Sequence, residues 1–258
     1  MAKLLTLWGG LVLATGWVAF QAEAPTKDLL GHWKLDDEKT SATAADSSGH
    51  GLHGKLVKNP GWTAGKIGGG IKLDGKDGHV ELPGSKEMNT LQEGSYTISA
   101  WFMPENIPPG ADTANDAYYG IVIKNGAHEG LRFNYEGKFA MDHWLKGENG
   151  GQDVQASPES DQEFEAGKFH HVAGIVDRAA GKTFIYVNGK LEGTQEWKAG
   201  AEARDYGPAT WKIGIAVPGA EEWGWSAKGV IDEVRLYGRA LSADEVKALH
   251  AQGADGKK

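Results

Sequence analysis

The chain has 258 residues, with 27 basic and 35 acidic side chains that give a formal charge of −8, and it contains 38 glycines and no cysteine. The lack of cysteine excludes disulfides, thiolate metal sites and cysteine nucleophiles, while the acidic balance and the lack of a basic stretch argue against nucleic-acid binding. Glycine is about twice as common as in an average protein, and 9 prolines without a three-residue glycine period exclude collagen, so we expect many turns between packed strands.

The first 24 residues, Met1–Ala24, predict a signal peptide. Lys3 precedes an apolar run of 17 residues, Leu4–Phe20, and Ala22-Glu23-Ala24 has the small-x-small pattern of a cleavage site. The run contains three glycines and is short for the roughly 30 Å of a bilayer core, so export with cleavage is favoured over a retained anchor. Pro25 is unfavourable directly after a cleavage site, which leaves a cut after Ala22 as an alternative. We therefore expect a secreted or periplasmic protein.

Short runs of alternating apolar residues, separated by Gly, Pro, Asn or Asp, recur from Leu29 onward. This pattern is typical of an all-β protein. Two tight turns are indicated, at Glu136-Gly137 and at Asn188-Gly189, and the second suits a type I′ hairpin turn. We predict twelve strands: Leu30–Leu35, Gly70–Leu73, His79–Glu81, Tyr96–Met103, Tyr119–Lys124, Leu131–Tyr135, Lys138–His143, Phe169–Asp177, Lys182–Val187, Lys190–Glu196, Trp211–Ile215 and Gly229–Tyr237.

One helix is predicted, near the C-terminus. Ser242 and Glu245 form a capping box, and Val246 and Leu249 supply a short apolar face. No internal repeat is evident, so residues 25–252 are expected to form one β-sandwich domain, followed by a disordered tail over 253–258.

Seven motifs in a fixed order carry a resemblance to a known family. They are Trp33–Glu38, Asp46–Gly54, Gly65–Pro83, Tyr96–Pro104, Phe169–Ala173, Ile185–Lys190 and Ile231–Ser242. Together they resemble the laminin-G-like, concanavalin A-like lectin/glucanase jelly-roll family of secreted bacterial proteins. The resemblance implies a jelly-roll β-sandwich of two antiparallel sheets with one short C-terminal helix. It leaves function open, because this fold carries lectins, adhesion modules, sialidase accessory domains and glycoside hydrolases.

The same resemblance implies a calcium site. Its ligands would be the carboxylates of Asp46 and Asp232, together with turn carbonyls near Gly49, Gly51 and His53. Calcium takes six to eight oxygen ligands, which an Asp- and Gly-rich turn can supply. In a chain without disulfides, such an ion would link the first and last strands. The alternative is that Asp46 closes an Asx-turn and that Asp232 is exposed or paired with arginine.

One acidic triplet matches the spacing of a glycosidase centre. Glycosidases of this fold carry two glutamates and an aspartate at alternate positions of one strand, which places the three carboxylates on one face. The chain has this spacing at Glu159, Asp161 and Glu163, but Ser160 and Gln162 lie between them, where a buried strand needs apolar residues. A solvated acidic loop is therefore favoured over a catalytic centre.

Aromatic residues near the long loops are candidates for ligand binding. They are Tyr118, Trp144, Trp197, Trp223 and Trp225. Indole rings stack on the apolar faces of sugars while carboxylates and amides bind hydroxyls. The alternative, that these rings pack the loops onto the sandwich, is slightly favoured.

The function predicted from the sequence is that of an exported, non-catalytic, calcium-stabilised module that binds carbohydrate or an extracellular protein partner. A glycoside hydrolase and a purely structural envelope module are the alternatives. We expect a monomer that binds neither nucleic acid nor, after signal cleavage, a membrane.

Overall fold

The computed structural model describes residues 23–109, 118–124, 129–198, 200–205, 207, 209–217 and 225–254. The described part contains seventeen strands, two 3-10 turns and two helices. The strands are β1 Leu29–Trp33, β2 Thr43–Ala44, β3 Gly54–Val57, β4 Gly61–Ala64, β5 Gly69–Asp74, β6 His79–Glu81, β7 Tyr96–Pro104, β8 Tyr118–Lys124, β9 Glu129–Asn134, β10 Phe139–Asp142, β11 Trp144–Leu145, β12 Val154–Gln155, β13 His170–Asp177, β14 Lys182–Val187, β15 Lys190–Glu196, β16 Trp211–Ile213 and β17 Lys228–Tyr237. The helices are α1 Lys86–Asn89 and α2 Ala243–Ala254.

Two antiparallel sheets face each other. Sheet A has eight strands in the order β15-β14-β13-β7-β17-β5-β4, with β1 also pairing with β17. Sheet B has seven strands in the order β10-β9-β8-β16-β6-β3-β2, and β11 and β12 form a small third sheet. The jelly-roll sandwich predicted from the sequence is confirmed, and each of the twelve predicted strands corresponds to an observed one.

The main core lies between the two sheets. Its largest members include Trp33, Phe102, Phe133, Phe139 and Trp211, all at most 1% exposed. Because successive residues of a strand point to opposite faces, every second residue of the central strands enters this core. The residues between them form the two outer faces of the sandwich.

The local turn and capping signals are present as predicted. Asn188 and Gly189 both have positive φ, at 51° and 77°, as a type I′ turn requires. The Ser242 hydroxyl accepts a hydrogen bond from the Glu245 amide at 3.3 Å, and the Glu245 carboxylate accepts one from the Ser242 amide at 2.9 Å, which completes the capping box.

Helix α2 covers part of the outer face of sheet A. Val246 and Leu249 pack there against Ala173, Ile175 and Tyr237. The helix extends to Ala254, so two residues that the sequence placed in the tail are helical.

The predicted signal peptide lies outside the described residues except for its last two, Glu23 and Ala24, and so do residues 255–258 of the tail. In the described part of the chain, every helix is too short or too polar to span a bilayer.

Candidate functional site

The outer face of sheet B carries the aromatic and charged groups that form the candidate site. In β8, Tyr119 enters the core between the sheets, whereas the neighbouring Tyr118 belongs to a separate cluster with Ile123 and the half-buried Trp225. In β9, Leu131 and Phe133 enter the core, and the intervening Arg132 points to the outer face. Strand alternation therefore places Tyr118 and Arg132 on one surface.

The Tyr118 and Trp225 rings stack on each other. Their centroids are 5.3 Å apart and their planes are inclined by 22°. Trp225 is brought to this face by its neighbour Ser226, which forms isolated β-bridges with Gly120 and Ile215. The Tyr118 hydroxyl is buried and has no hydrogen-bond partner among the described residues. Because burial raises the pKa of this hydroxyl, it remains a neutral donor at physiological pH.

Arg132 lies beside this aromatic pair and connects it to two carboxylates. Its guanidinium carbon is 5.7 Å from the centroid of the Tyr118 ring. Its Nε donates to both carboxylate oxygens of Asp142, at 2.9 and 3.1 Å, and its Nη2 donates to Glu159 at 2.7 Å. The Asn134 amide donates to the same Glu159 oxygen at 3.3 Å. These contacts fix the orientation of the guanidinium and of the partly exposed Glu159.

Burial and charge oppose each other in this network. Burial disfavours the charged form of Arg132, but Asp142 and Glu159 outweigh it and raise the pKa of the guanidinium. Asp142 is buried, and burial raises the pKa of its carboxyl group although Arg132 acts to lower it. Glu159 is 37% exposed on its side chain, so it is the carboxylate of the network that solvent reaches.

The remaining predicted aromatic residues lie elsewhere or outside the described residues. Trp144 is half-buried in β11. Trp197 packs against the core, with its ring 5.8 Å from that of His143 and its Nε1 donating to the Thr183 hydroxyl at 3.2 Å. Trp223 lies outside the described residues. The structure therefore brings together Tyr118 and Trp225, and Trp197 has the packing role that the sequence analysis favoured.

The acidic triplet does not form the strand that its spacing suggests. Glu159 makes an isolated bridge to Ala140, but the chain bends at Asp161, whose amide donates to the Glu192 carbonyl. Asp161 and Glu163 are exposed, whereas the intervening Ser160 is buried. The alternation that would place three carboxylates on one face is absent from this segment, and Glu159 is the member that contacts the Arg132 network.

The predicted calcium ligand Asp46 is saturated by protein donors. One carboxylate oxygen accepts from the amides of His32 at 3.0 Å and Ser48 at 2.8 Å, and the other accepts from the Ser48 hydroxyl at 2.8 Å and the Leu52 amide at 2.9 Å. Burial acts to raise the pKa of Asp46, but these donors outweigh it and lower the pKa. Four donors occupy the four lone-pair sites of a carboxylate. Asp46 thus closes the Asx-type turn that was the alternative interpretation.

The other predicted ligands do not converge on Asp46 as metal donors. His53 Nδ1 accepts the Asp46 amide at 3.1 Å, and Gly49 and Gly51 have the positive φ of turn residues, 95° and 71°. Asp232 is buried, with one oxygen accepting the Ile67 amide at 2.8 Å, and burial raises the pKa of its carboxyl group to about 8.

The first and last strands are linked by a different acidic residue. His32 Nε2 in β1 lies 2.8 Å from the Glu233 carboxylate in β17. Nowhere in the described residues do three or more His, Asp or Glu side chains converge as a metal site would require. The arrangement does not fit a calcium ion shared by Asp46 and Asp232, so calcium stays a prediction from the resemblance and no step below uses it.

Comparison with known proteins gives one family match. The model of a family described as the concanavalin A-like lectin/glucanases superfamily, Laminin_G_3, matches residues 74–247. No curated protein sequence matches the chain.

Several solved structures share the fold at low identity. Domain 4 of AbnA, an extracellular arabinanase from Geobacillus stearothermophilus, in complex with arabinotriose, has a TM-score of 0.57 and 20% identity, covering 89% of this chain and 100% of that one. Trypanosoma rangeli sialidase has a TM-score of 0.60 and 16% identity, covering 91% of this chain and 34% of the sialidase. The binding domain of botulinum neurotoxin DC, in complex with SialylT, has a TM-score of 0.60 and 16% identity, covering 88% of this chain and 52% of that domain.

These similarities show a shared fold and nothing beyond it. The chain spans about a third of the sialidase and about half of the neurotoxin binding domain. The group includes both enzymes and a binding domain, so the shared fold does not decide whether this chain is catalytic.

Proposed function

Because the chain belongs to the concanavalin A-like lectin/glucanases superfamily, we propose that it is a non-catalytic module that binds carbohydrate on the outer face of sheet B. The observation that carries the proposal is the stacked Tyr118–Trp225 pair beside the Arg132 network. A sugar ring presents an apolar C–H face and a polar rim, and this surface offers an aromatic platform next to fixed donors and acceptors.

The individual groups have complementary roles in such a site. The half-buried Trp225 provides the face on which a sugar stacks. Glu159 lies at the rim, where its carboxylate accepts hydrogen bonds from sugar hydroxyls, and the buried Asn134 amide donates to Glu159 and helps to hold it. Asp142 is buried against Arg132 and holds the guanidinium in place. Since these contacts exist before a ligand arrives, little side-chain entropy is lost on binding.

Two proteins of the same fold support a saccharide ligand. The arabinanase domain was solved with arabinotriose and the neurotoxin domain with SialylT. Transfer of that property to this chain is part of the proposal, because identities of 16–20% establish the fold alone.

A binding role is favoured over glycoside hydrolysis by the state of the carboxylates. A glycosidase needs two carboxyl groups that flank the scissile bond and are open to substrate. On this face Asp142 is 2% exposed, and both Asp142 and Glu159 are hydrogen-bonded to the same guanidinium.

We also propose that the module lies outside the cytoplasm, on the basis of the predicted leader Met1–Ala24. N-terminal sequencing of protein purified from its host tests that assignment, and an intact Met1 would contradict it.

The proposal is tested by titrating the purified protein with arabinotriose, sialyllactose and other neutral and acidic oligosaccharides, followed by tryptophan fluorescence and calorimetry. We expect Trp225→Ala to weaken binding by about tenfold or more, since it removes the stacking surface. Trp62→Ala, on edge strand β4 of sheet A, is the matched control and should bind as the parent does.

Two results would overturn the proposal. The first is equal binding by Trp225→Ala and the parent, or no binding to any saccharide. The second is release of reducing ends from a bound oligosaccharide, abolished by Glu159→Gln, which would favour the hydrolase alternative. Binding to a protein partner in the absence of any saccharide response would favour the protein-binding alternative.

A further inference from the structure

A cavity lies away from the outer face of sheet B, where β1, the turn after Asp46, β17 and the end of α2 meet. It has a volume of about 580 Å³, and its polar lining includes His32, Lys34, Ser48, Glu233, Arg235 and Gln252. We propose that this cavity binds a small carboxylate ligand, with Arg235 and Lys34 as the cationic groups that recognise it.

The cavity floor is built by β17 at a register shift in that strand. Val234 enters the core and Arg235 after it points to the outer face of sheet A. Glu233, which has a positive φ of 53° at the register shift, also lines the cavity. Their side chains contact each other, with Arg235 Nη2 2.5 Å from the Glu233 carboxylate, and His32 Nε2 lies 2.8 Å from the same oxygen. Arg235 therefore already neutralises the one carboxylate of the lining, and His32 contacts the same oxygen.

Arg235 keeps hydrogen-bonding capacity that the protein does not use. Its side chain is 6% exposed, and Nη2 makes the contact with Glu233 and donates to the Gln252 amide oxygen at 3.1 Å. Among the described residues, no acceptor contacts Nε or Nη1. Neither atom is fully buried. Unused donors on a nearly buried guanidinium that lines a cavity are suited to the two oxygens of a carboxylate, because the planar fork matches them.

The charge of the lining also favours an anion. Lys34 is exposed at the cavity and forms no ion pair with any described residue. With Arg235 it gives two positive charges against the single carboxylate of Glu233. His32 adds no charge at neutral pH, since burial outweighs Glu233 and lowers its pKa. A cation would meet repulsion here, whereas a carboxylate would complete the coordination of Arg235.

The size of the cavity suits a monosaccharide or a short peptide end. Ligand pockets in proteins have volumes of roughly 300–1,000 Å³. An acidic sugar and a peptide C-terminus share the carboxylate, so the experiment uses both sources with matched neutral compounds. Galacturonate is compared with galactose, and N-acetylalanine with N-acetylalaninamide, by calorimetry on the purified full chain.

We expect galacturonate or N-acetylalanine to bind and the matched neutral compound not to bind. Lys34→Gln should weaken this binding by about tenfold, because it removes a charge-assisted contact, and Lys58→Gln, an exposed lysine outside the cavity, should not change it. Arg235→Lys keeps the charge but loses the fork and should reduce binding further. If Arg235→Lys fails to fold, Lys34→Gln alone decides, because Lys34 is exposed.

The outcomes separate this cavity from the face of sheet B. Trp225→Ala should leave carboxylate binding unchanged. Equal binding of galacturonate and galactose, equal binding by the Lys34→Gln and Lys58→Gln variants, or loss of carboxylate binding in Trp225→Ala but not in Lys34→Gln would each overturn the proposal. Binding of N-acetylalanine alone would support the site with a peptide as the source of the carboxylate.

Discussion

The outer faces of the two sheets differ in what covers them. On sheet A, helix α2 packs Val246 and Leu249 onto Ala173, Ile175 and Tyr237, all of which are buried. On sheet B, the outward Tyr118 packs with the half-buried Trp225 beside Arg132. Both faces arise from the same alternation of strand residues. Outward aromatic residues serve stability where a helix covers them, whereas on sheet B, where no described helix packs on this face, Trp225 stays partly exposed.

The largest expected effect comes from breaking the covered face. Leu249→Ala removes a fully buried side chain between α2 and sheet A, and we expect it to lower the free energy of unfolding by about 2–5 kcal/mol. Urea denaturation measures this change. Trp225→Ala on sheet B should cost much less stability, because its side chain is only half-buried. A larger loss for Trp225→Ala than for Leu249→Ala would contradict the comparison.

Acid should weaken the covered face through His171. This residue is buried against Trp101, with ring centroids 5.3 Å apart, and burial, with smaller contributions from His250 and Arg235, lowers its pKa to about 3. The unfolded chain binds a proton at this residue near pH 6.5, whereas the folded chain does so only near pH 3. Stability is therefore lost as the pH falls from about 6.5 to 3, on the order of a few kcal/mol.

Urea denaturation at pH 7, 5 and 4 measures this dependence. His171→Gln should flatten it, while His53→Gln, at an exposed histidine, should retain the parent slope. The same slope in the parent and His171→Gln would show that another group dominates.

A smaller effect is expected where α2 approaches sheet A most closely. A Cβ added at Gly253 would lie 2.4 Å from a ring carbon of Trp101, so Gly253→Ala overpacks this contact and should lower stability by about 1–3 kcal/mol. Gly61→Ala in edge strand β4 is the control, since its Cβ would meet its nearest neighbour at 3.7 Å. Thermal denaturation of the two variants measures this difference. Equal falls in their melting temperatures would contradict the close packing.

The smallest effect is expected from a chelator. Because the Asp46 carboxylate is already saturated by four donors, EDTA should leave the melting temperature unchanged. A fall in the melting temperature on chelation that calcium reverses and magnesium does not would support the calcium prediction made from the sequence. The calcium ligands would then differ from the arrangement of Asp46 described above.

The sequence predicted the fold well because the signals for it are local. Alternation, the Asn188-Gly189 turn and the Ser242–Glu245 capping box each depend on neighbouring residues. The missed strands, β2, β3, β4, β11 and β12, have two to four residues each, so alternation is a weak signal for them, although the three-residue β6 was predicted. Short strands of this kind are recognised through their partners rather than through their own sequence.

The candidate site was less predictable because its contacts join distant parts of the chain. Tyr118 and Trp225 were selected as separate aromatic residues, and their stacking depends on the bridges that place Ser226 beside Gly120. Arg132 was overlooked, although its place between Leu131 and Phe133 in a predicted strand marks it as outward-facing. That Glu233 rather than Asp232 contacts His32 in β1 could not be predicted from the sequence, since it depends on a register shift in β17 and a positive φ of 53° at Glu233.

The central position of β17 has a consequence for the order in which the chain folds. This strand pairs with β1, β5 and β7, and the sequence separation reaches 208 residues at the contact of Leu29 with Tyr237. During synthesis, the first strand and its neighbours must wait for residues 228–237 before sheet A can close. Pairings of such separation slow folding, because a long loop is ordered before its contacts form. We therefore expect sheet A to assemble after nearly the whole chain has been made, with refolding in the millisecond-to-second range typical of β-sandwiches.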